Sequence, residues 1–214
     1  MFKLSQHDGY LCVLRGAVSV DGATAAILFS TEPDRALTLE ADFGATPQML
    51  AFARSLAPGD GSATGNAVAQ RHRVVIRDGA TDYANSRRKQ AALDAGIQAV
   101  TATPLIDSRL RVLGVLTLFY PSPHHPSYDA IRRLDGCCKV GSQLLEVFAL
   151  QDRLGAAYSG ADVRIARLSP TGRRAADAVA RLLPVCGRAD GDEMLFITLM
   201  RHLDLIIREL STPV

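Results

Sequence analysis

The chain has 214 residues and a mass of 22.9 kDa, with 48% hydrophobic and 21% charged residues. That is the balance of a folded globular protein, so wholesale disorder is excluded and no disulfide or metal staple is needed to close a core. The formal net charge of +2 is too small for a dedicated nucleic-acid surface.

Residues 4–20 read as a helix, with Leu4, Leu11, Leu14 and Val18 at helical spacing and Cys12 beside them. Asp21-Gly22 breaks it. The apolar run 25–29 suits a buried strand, and residues 36–43 alternate Leu37, Leu39 and Ala41 against Thr38, Glu40 and Asp42, so the two predict a hairpin. A helix is expected around Met49, Leu50, Phe52 and Leu56, then a Pro58-Gly59-Asp60-Gly61 loop and a short helix over 62–70. Residues 73–76 form a strand ended by Asp78-Gly79, and residues 86–95 a helix capped by Gly96. Two strong strands follow, 97–106 and 112–120, joined by the polar turn Asp107-Ser108-Arg109. The proline-bounded segment 121–126 cannot sit inside a sheet.

Ser127 opens a long helix with Ile131, Leu134, Cys138, Gly141, Leu145 and Phe148 on one side. The order helix, hairpin, helices, strand, helix, hairpin, helix predicts an α+β fold: an antiparallel sheet covered by helices. Domain 1–150 ends here, and residues 151–214 form a helical C-terminal extension. Ser169-Pro170 starts its first helix, which Pro184 is expected to end; Asp192 is placed to cap a last helix carrying Leu195, Leu199, Met200, Leu203, Ile206, Ile207 and Leu210. That wide apolar stripe either packs on its own chain or forms a dimer or partner helix.

Much chemistry is missing. There is no phosphate loop, no G-x-G-x-x-G, no H-E-x-x-H and no G-x-S-x-G. The pair His124-His125 lacks neighbouring ligands, so a solvated turn is expected in place of a metal site. Cys12, Cys137, Cys138 and Cys186 have no C-x-x-C spacing and read as buried thiols of a reducing cytoplasm. No run reaches the ~20 apolar residues of a membrane span, and residues 1–20 lack the plan of a signal peptide, so a cytoplasmic location without membrane attachment is expected. Short basic clusters read as a solvated face, or else Arg71, Arg73, Arg87 or Arg88 lines the mouth of a pocket for an anion.

Five segments share a pattern with one family. Residues 61–69 (Gly-Ser-Ala-Thr-Gly-Asn-Ala-Val-Ala) form a glycine-rich lead into a short helix, and Arg73-Val74-Val75-Ile76-Arg77-Asp78 is a strand closed by aspartate. Residues 95–105 carry Gly96 and the Pro104-Leu105 pair, Leu113-Gly114-Val115-Leu116 gives a second strand word, and Pro126-Ser127-Tyr128 with Leu134 opens the closing helix. In this order and spacing the chain resembles the GAF sensory domain family over about residues 5–150, in the form attached to bacterial sensor kinases. The resemblance implies a GAF-like, PAS-related sheet of six antiparallel strands with helices on both faces. A ligand pocket would lie under the short helices on one of them.

Against that layout, the rows Leu116/Leu118 and Val100/Ala102 are expected to face the helical layer, and Thr101, Thr103, Thr117 and Phe119 the pocket. Tyr83 and Leu93 come from its roof, and Arg71 from its mouth. The alternative is a filled core whose threonines bond within the protein. The patterns of the bilin-binding, redox-catalytic and cyclic-nucleotide GAF subfamilies are not matched, and His72 is a weak haem ligand. No covalent bilin, haem or metal is therefore expected, and the cofactor is unknown. The expected function is a non-catalytic signalling module that binds an unidentified small molecule and transmits through its flanking helices, as a homodimer or to a partner protein. The alternative is a ligand-free scaffold for dimerisation or protein interaction.

Overall fold

The computed structural model describes residues 6–31, 36–83, 86–107, 109–157, 168–186 and 193–211. Helix α1 (Gln6–Asp21) ends where Gly22 takes a positive φ of 69° and its N–H returns to Val18 O at 3.1 Å. Strands β1 (Ala25–Thr31) and β2 (Leu37–Phe43) form the expected hairpin. Helix α2 (Pro47–Arg54) is capped by Thr46, whose hydroxyl accepts the Met49 N–H, and α3 (Ala63–Gln70) by Ser62, which accepts the Gly65 N–H. Strand β3 (Val74–Ile76), helix α4 (Ser86–Asp94) and strands β4 (Ala99–Ile106) and β5 (Val112–Tyr120) complete the sheet and its roof. Helix α5 (Tyr128–Ala157) starts with Ser127 Oγ accepting the Ala130 N–H.

The sheet is antiparallel with strand order β2-β1-β5-β4-β3. It has five strands among the described residues. The sixth that the family resemblance implies is absent from it, because the chain between β2 and β3 goes into α2 and α3 and that between β3 and β4 into α4. The central pair β5 and β1 is buried along most of its length.

Helices lie on both faces. On one, Ile27, Phe29, Val115 and Phe119 pack with Met49, Phe52, Val68 and Ile97 from the α2–α4 side. On the other, Leu28, Leu116 and Leu118 pack with Val13 and Leu14 of α1 and Leu134, Leu144 and Phe148 of α5. Asp21, at the end of α1, accepts the Tyr120 hydroxyl at 2.8 Å and lies 3.0 Å from His124 Nε2, while the His124 ring stacks on Tyr120. So His124 is half-buried and clasped to Asp21 and Tyr120, while His125 beside it is exposed, as expected of a solvated turn.

Two further helices join this second layer. Helix α6 (Pro170–Cys186) begins with Ser169 Oγ accepting the N–H groups of Thr171 and Gly172. It runs past Pro184, because a proline in a last turn removes one bond without ending the helix already formed. Helix α7 (Glu193–Ser211) returns antiparallel, and its Glu209 carboxylate accepts both Ser169 N–H and Ser169 Oγ–H. Asp192, its expected cap, lies outside the described residues. Ala175 and Val179 of α6 and Leu199, Leu203 and Ile206 of α7 are buried in the same cluster as α1 and α5. At Leu199, Leu203 and Ile206 the apolar stripe of the last helix therefore packs on its own chain, while the side chains of Leu195, Met200 and Leu210 lie outside the described ones. Among the described residues no helix is long and apolar enough to cross a membrane.

Candidate functional site

The strand register decides which side chains share a face. In the β4–β5 pair, Val100 lies opposite Phe119, Thr101 opposite Leu118, Ala102 opposite Thr117 and Thr103 opposite Leu116. Directly opposed residues in an antiparallel pair project to the same side. Thr117 and Phe119 thus face α2–α4, as expected, in company with Val100 and Ala102. Thr101 and Thr103 face the helical layer with Leu116 and Leu118. The expectation that all four share one hollow is corrected here: the periodicity of each strand was right, but the register pairs the apolar row of β4 with the threonine row of β5.

The hydroxyls are largely used inside the protein. Thr117 and Thr64 of α3, both fully buried, share a hydrogen bond of 3.1 Å. Thr103 Oγ1 accepts Arg73 Nε at 2.8 Å, and the Arg73 guanidinium goes on to pair with Asp135 of α5, so Arg73 binds the sheet edge to the long helix. Thr101 Oγ1 is buried beside the Tyr120 phenol without a well-formed hydrogen bond among the described residues. Burial, aided by the Asp21 carboxylate it donates to, pushes that phenol far above its ordinary ionisation range. Thr117→Val is expected to cost about 1–3 kcal/mol in urea unfolding, because it strands a buried Thr64 hydroxyl. Adding Thr64→Val should return most of that loss; a double variant as unstable as the sum of the singles would show that the two hydroxyls act apart.

The roof is tied by charge. In the α2–α3 loop, Asp60 accepts the N–H of Ser62 through one oxygen at 2.8 Å and that of Ala57 through the other at 2.9 Å. Arg88 of α4 reaches across to the same carboxylate at 2.7 Å and donates to Ser55 Oγ and Ser55 O, each at 3.0 Å. Beneath this latch lies Tyr83, whose phenol is pushed up to about 12 by burial and by the Asp60 carboxylate, so it stays neutral. Gly65 is needed here, since a Cβ would sit 2.2 Å from Ala57 O and 2.4 Å from Asp60 Oδ1.

The other expected site residues lie apart. Leu93 is half-buried, with its side chain near Gly79, and does not belong to the apolar cluster. Arg71 is exposed, in a left-handed conformation (φ 59°) that caps α3. Of the four arginines considered for a pocket mouth, Arg88 is the one placed in the roof latch. Sequence reasoning missed Asp60, Ser55 and Thr64; the signal for Asp60 was its place in Gly59-Asp60-Gly61, where an aspartate caps nearby N–H groups.

His72 is exposed, with Nδ1 near Arg73 O at 2.9 Å. Among the described residues no three His, Cys, Asp or Glu side chains cluster so as to hold a metal ion. Cys12, Cys137 and Cys138 are buried in the helical layer and form no disulfide among the described residues. Burial pushes the Cys138 thiol far up, away from the thiolate a nucleophile needs.

A five-stranded antiparallel sheet lies between a layer of four helices, α1, α5, α6 and α7, and a roof of short helices, a small α+β architecture. The chain belongs to the GAF domain family, whose sequence profile matches residues 12–146. Comparison with curated proteins gives no match. Among solved structures, the chain is similar to the GAF domain/HD domain protein of Geobacter sulfurreducens, with TM-score 0.54 and 14% identity over 67% of this chain and 94% of that one. It is also similar to a domain assigned to a two-component sensor histidine kinase of Sinorhizobium meliloti 1021, with TM-score 0.50 and 16% identity over 68% of this chain and 90% of that one. A third is a GAF domain of Synechocystis sp. PCC6803 in its photoproduct state, with TM-score 0.52 and 14% identity over 69% of this chain and 95% of that one. At these identities the likeness is one of fold.

Proposed function

We propose that the chain is a non-catalytic regulatory GAF module that works through its helical layer, relaying changes in the sheet to the C-terminal helix pair and so to a partner protein or a second copy. One observation carries this reading: the sheet residues Leu116 and Leu118, helices α1 and α5, and Leu199, Leu203 and Ile206 of α7 form a single buried cluster. Close-packed side chains transmit displacement, so a shift in β5 or α5 moves the contacts of α7. The sensor-kinase and photoproduct-state relatives support a signalling role by family likeness. A cytoplasmic location fits this reading.

A second reading, a small molecule held under α4, is favoured by the Arg88–Asp60–Ser55 latch above Tyr83, a polar closure over an apolar floor. The Thr64–Thr117 hydrogen bond and the aromatic filling of that floor favour the scaffold over the hollow. A metabolite that raised Tm in the wild type but not in Arg88→Ala would favour the second reading.

Leu203→Ala tests the first. Hydrogen exchange is expected to quicken in α7 and, with it, in α5 and β5. Faster exchange confined to α7 would break the relay.

A further inference from the structure

At one end, the seam between α5 and α7 opens into a cleft of about 540 Å³, bordered by Ile106, Asp107, Lys139, Gln143, Arg201 and Asp204. It lies on the helical-layer side, away from the Arg88 latch, and its size suits a small metabolite. Its acids are engaged. Asp107 accepts the N–H groups of Arg109 and Arg111 at 2.9 and 2.8 Å and the Arg111 guanidinium at 2.7 Å. Burial would raise the Asp107 carboxyl, but these donors hold it below its usual range and so charged. Asp204 Oδ1 accepts Gln143 Nε2 at 2.6 Å.

Of its three cations, Arg208 is engaged within the protein, and the other two are less so. Lys139, on α5, and Arg201, on α7, have no hydrogen bond or ion pair among the described residues, although both border the cleft. Gln143 Oε1 is closed off from solvent and accepts no hydrogen bond among the described residues; being an acceptor, it would take a hydroxyl or ammonium donor and not the oxygens of an anion.

We infer that this cleft binds a small organic anion, with its carboxylate or phosphate between Lys139 and Arg201 and its apolar part against Ile106 and Ile207. A guanidinium supplies a planar pair of donors and an ammonium a mobile one, which together suit either head group. Because the two cations come from different helices, the bound anion links α7 to α5.

The test uses the full chain. Tm is followed against citrate, glutamate, inorganic phosphate and glucose 6-phosphate at constant ionic strength, with chloride as the reference. At least one organic anion is expected to raise Tm saturably. Lys139→Ala/Arg201→Ala should weaken its apparent affinity by about tenfold or more, the effect of losing charge-assisted bonds. Arg54→Ala, an exposed change on α2, should leave it unaltered. A response only to citrate and glutamate assigns a carboxylate head group, and one that includes glucose 6-phosphate a phosphate. The inference is overturned if no organic anion exceeds chloride, if inorganic phosphate alone acts, or if the double variant responds like the wild type. Both substituted side chains are exposed, so the double variant should melt near the wild type without ligand. Failure here leaves the relay reading standing, since that rests on hydrogen exchange.

Discussion

Phe119→Ala is expected to destabilise the protein by about 3–5 kcal/mol, measured by urea unfolding. Phe119 is fully buried on the central strand β5, between Ala25 of β1 and Val100 of β4. Its ring lies in the cluster formed with Ile27, Phe29, Val115 and the α2–α4 side chains. Truncation removes apolar area from water and leaves a void that its rigid sheet neighbours cannot fill. A loss of that size is a large part of the ~5–15 kcal/mol a domain has in total. A phenylalanine that only bordered a solvent-filled hollow would cost far less. A loss below about 1 kcal/mol would thus return Phe119 to the role of pocket lining.

Gly114→Ala is expected to be nearly as damaging, at about 3 kcal/mol, with loss of soluble protein on expression. A Cβ at this position would lie 2.0 Å from Phe29 O and 2.8 Å from Leu145 Cδ1. The leucine can rotate away. The carbonyl cannot, because it belongs to the β1–β5 ladder, in which Gly114 lies opposite Ser30. Relief would require the two central strands to part. Gly136→Ala is the matching control, since a Cβ there meets nothing within 4 Å. On the long helix α5 it should gain about 0.5–1 kcal/mol through helix propensity. Equal melting temperatures for the two variants would refute the steric account.

Much of this fold was legible in the residues. Gly22 and Gly96 mark the ends of α1 and α4, Ser127 and Ser169 the starts of α5 and α6, and the alternation in β2 its half-buried character. These signals are local: a cap or a turn is satisfied by atoms a few residues away. The five strands were each present as segments in the sequence, and the sixth came only with the family resemblance. Pro184 misled because a stop signal is weaker inside a last turn than in mid-helix.

The candidate site was less legible. Alternation within β4 and within β5 separated each strand into two rows, but nothing local says which row of one strand meets which row of the next. Thr101 and Thr103 therefore went to the wrong side, while Thr117 and Phe119 went to the right one. Arg88 was visible as one of several basic residues, yet its partner Asp60 lies in another loop, and Arg73 looked equally suited until it proved to clamp α5. By itself, then, the sequence determined the elements, their order and the family, because short-range hydrogen bonding and periodic hydrophobicity write those into neighbouring residues. Only the tertiary structure decided the strand register, the partners of the Thr64, Thr103 and Thr117 hydroxyls and the cover over Leu199, Leu203 and Ile206 of α7, because those depend on contacts between residues far apart in the chain.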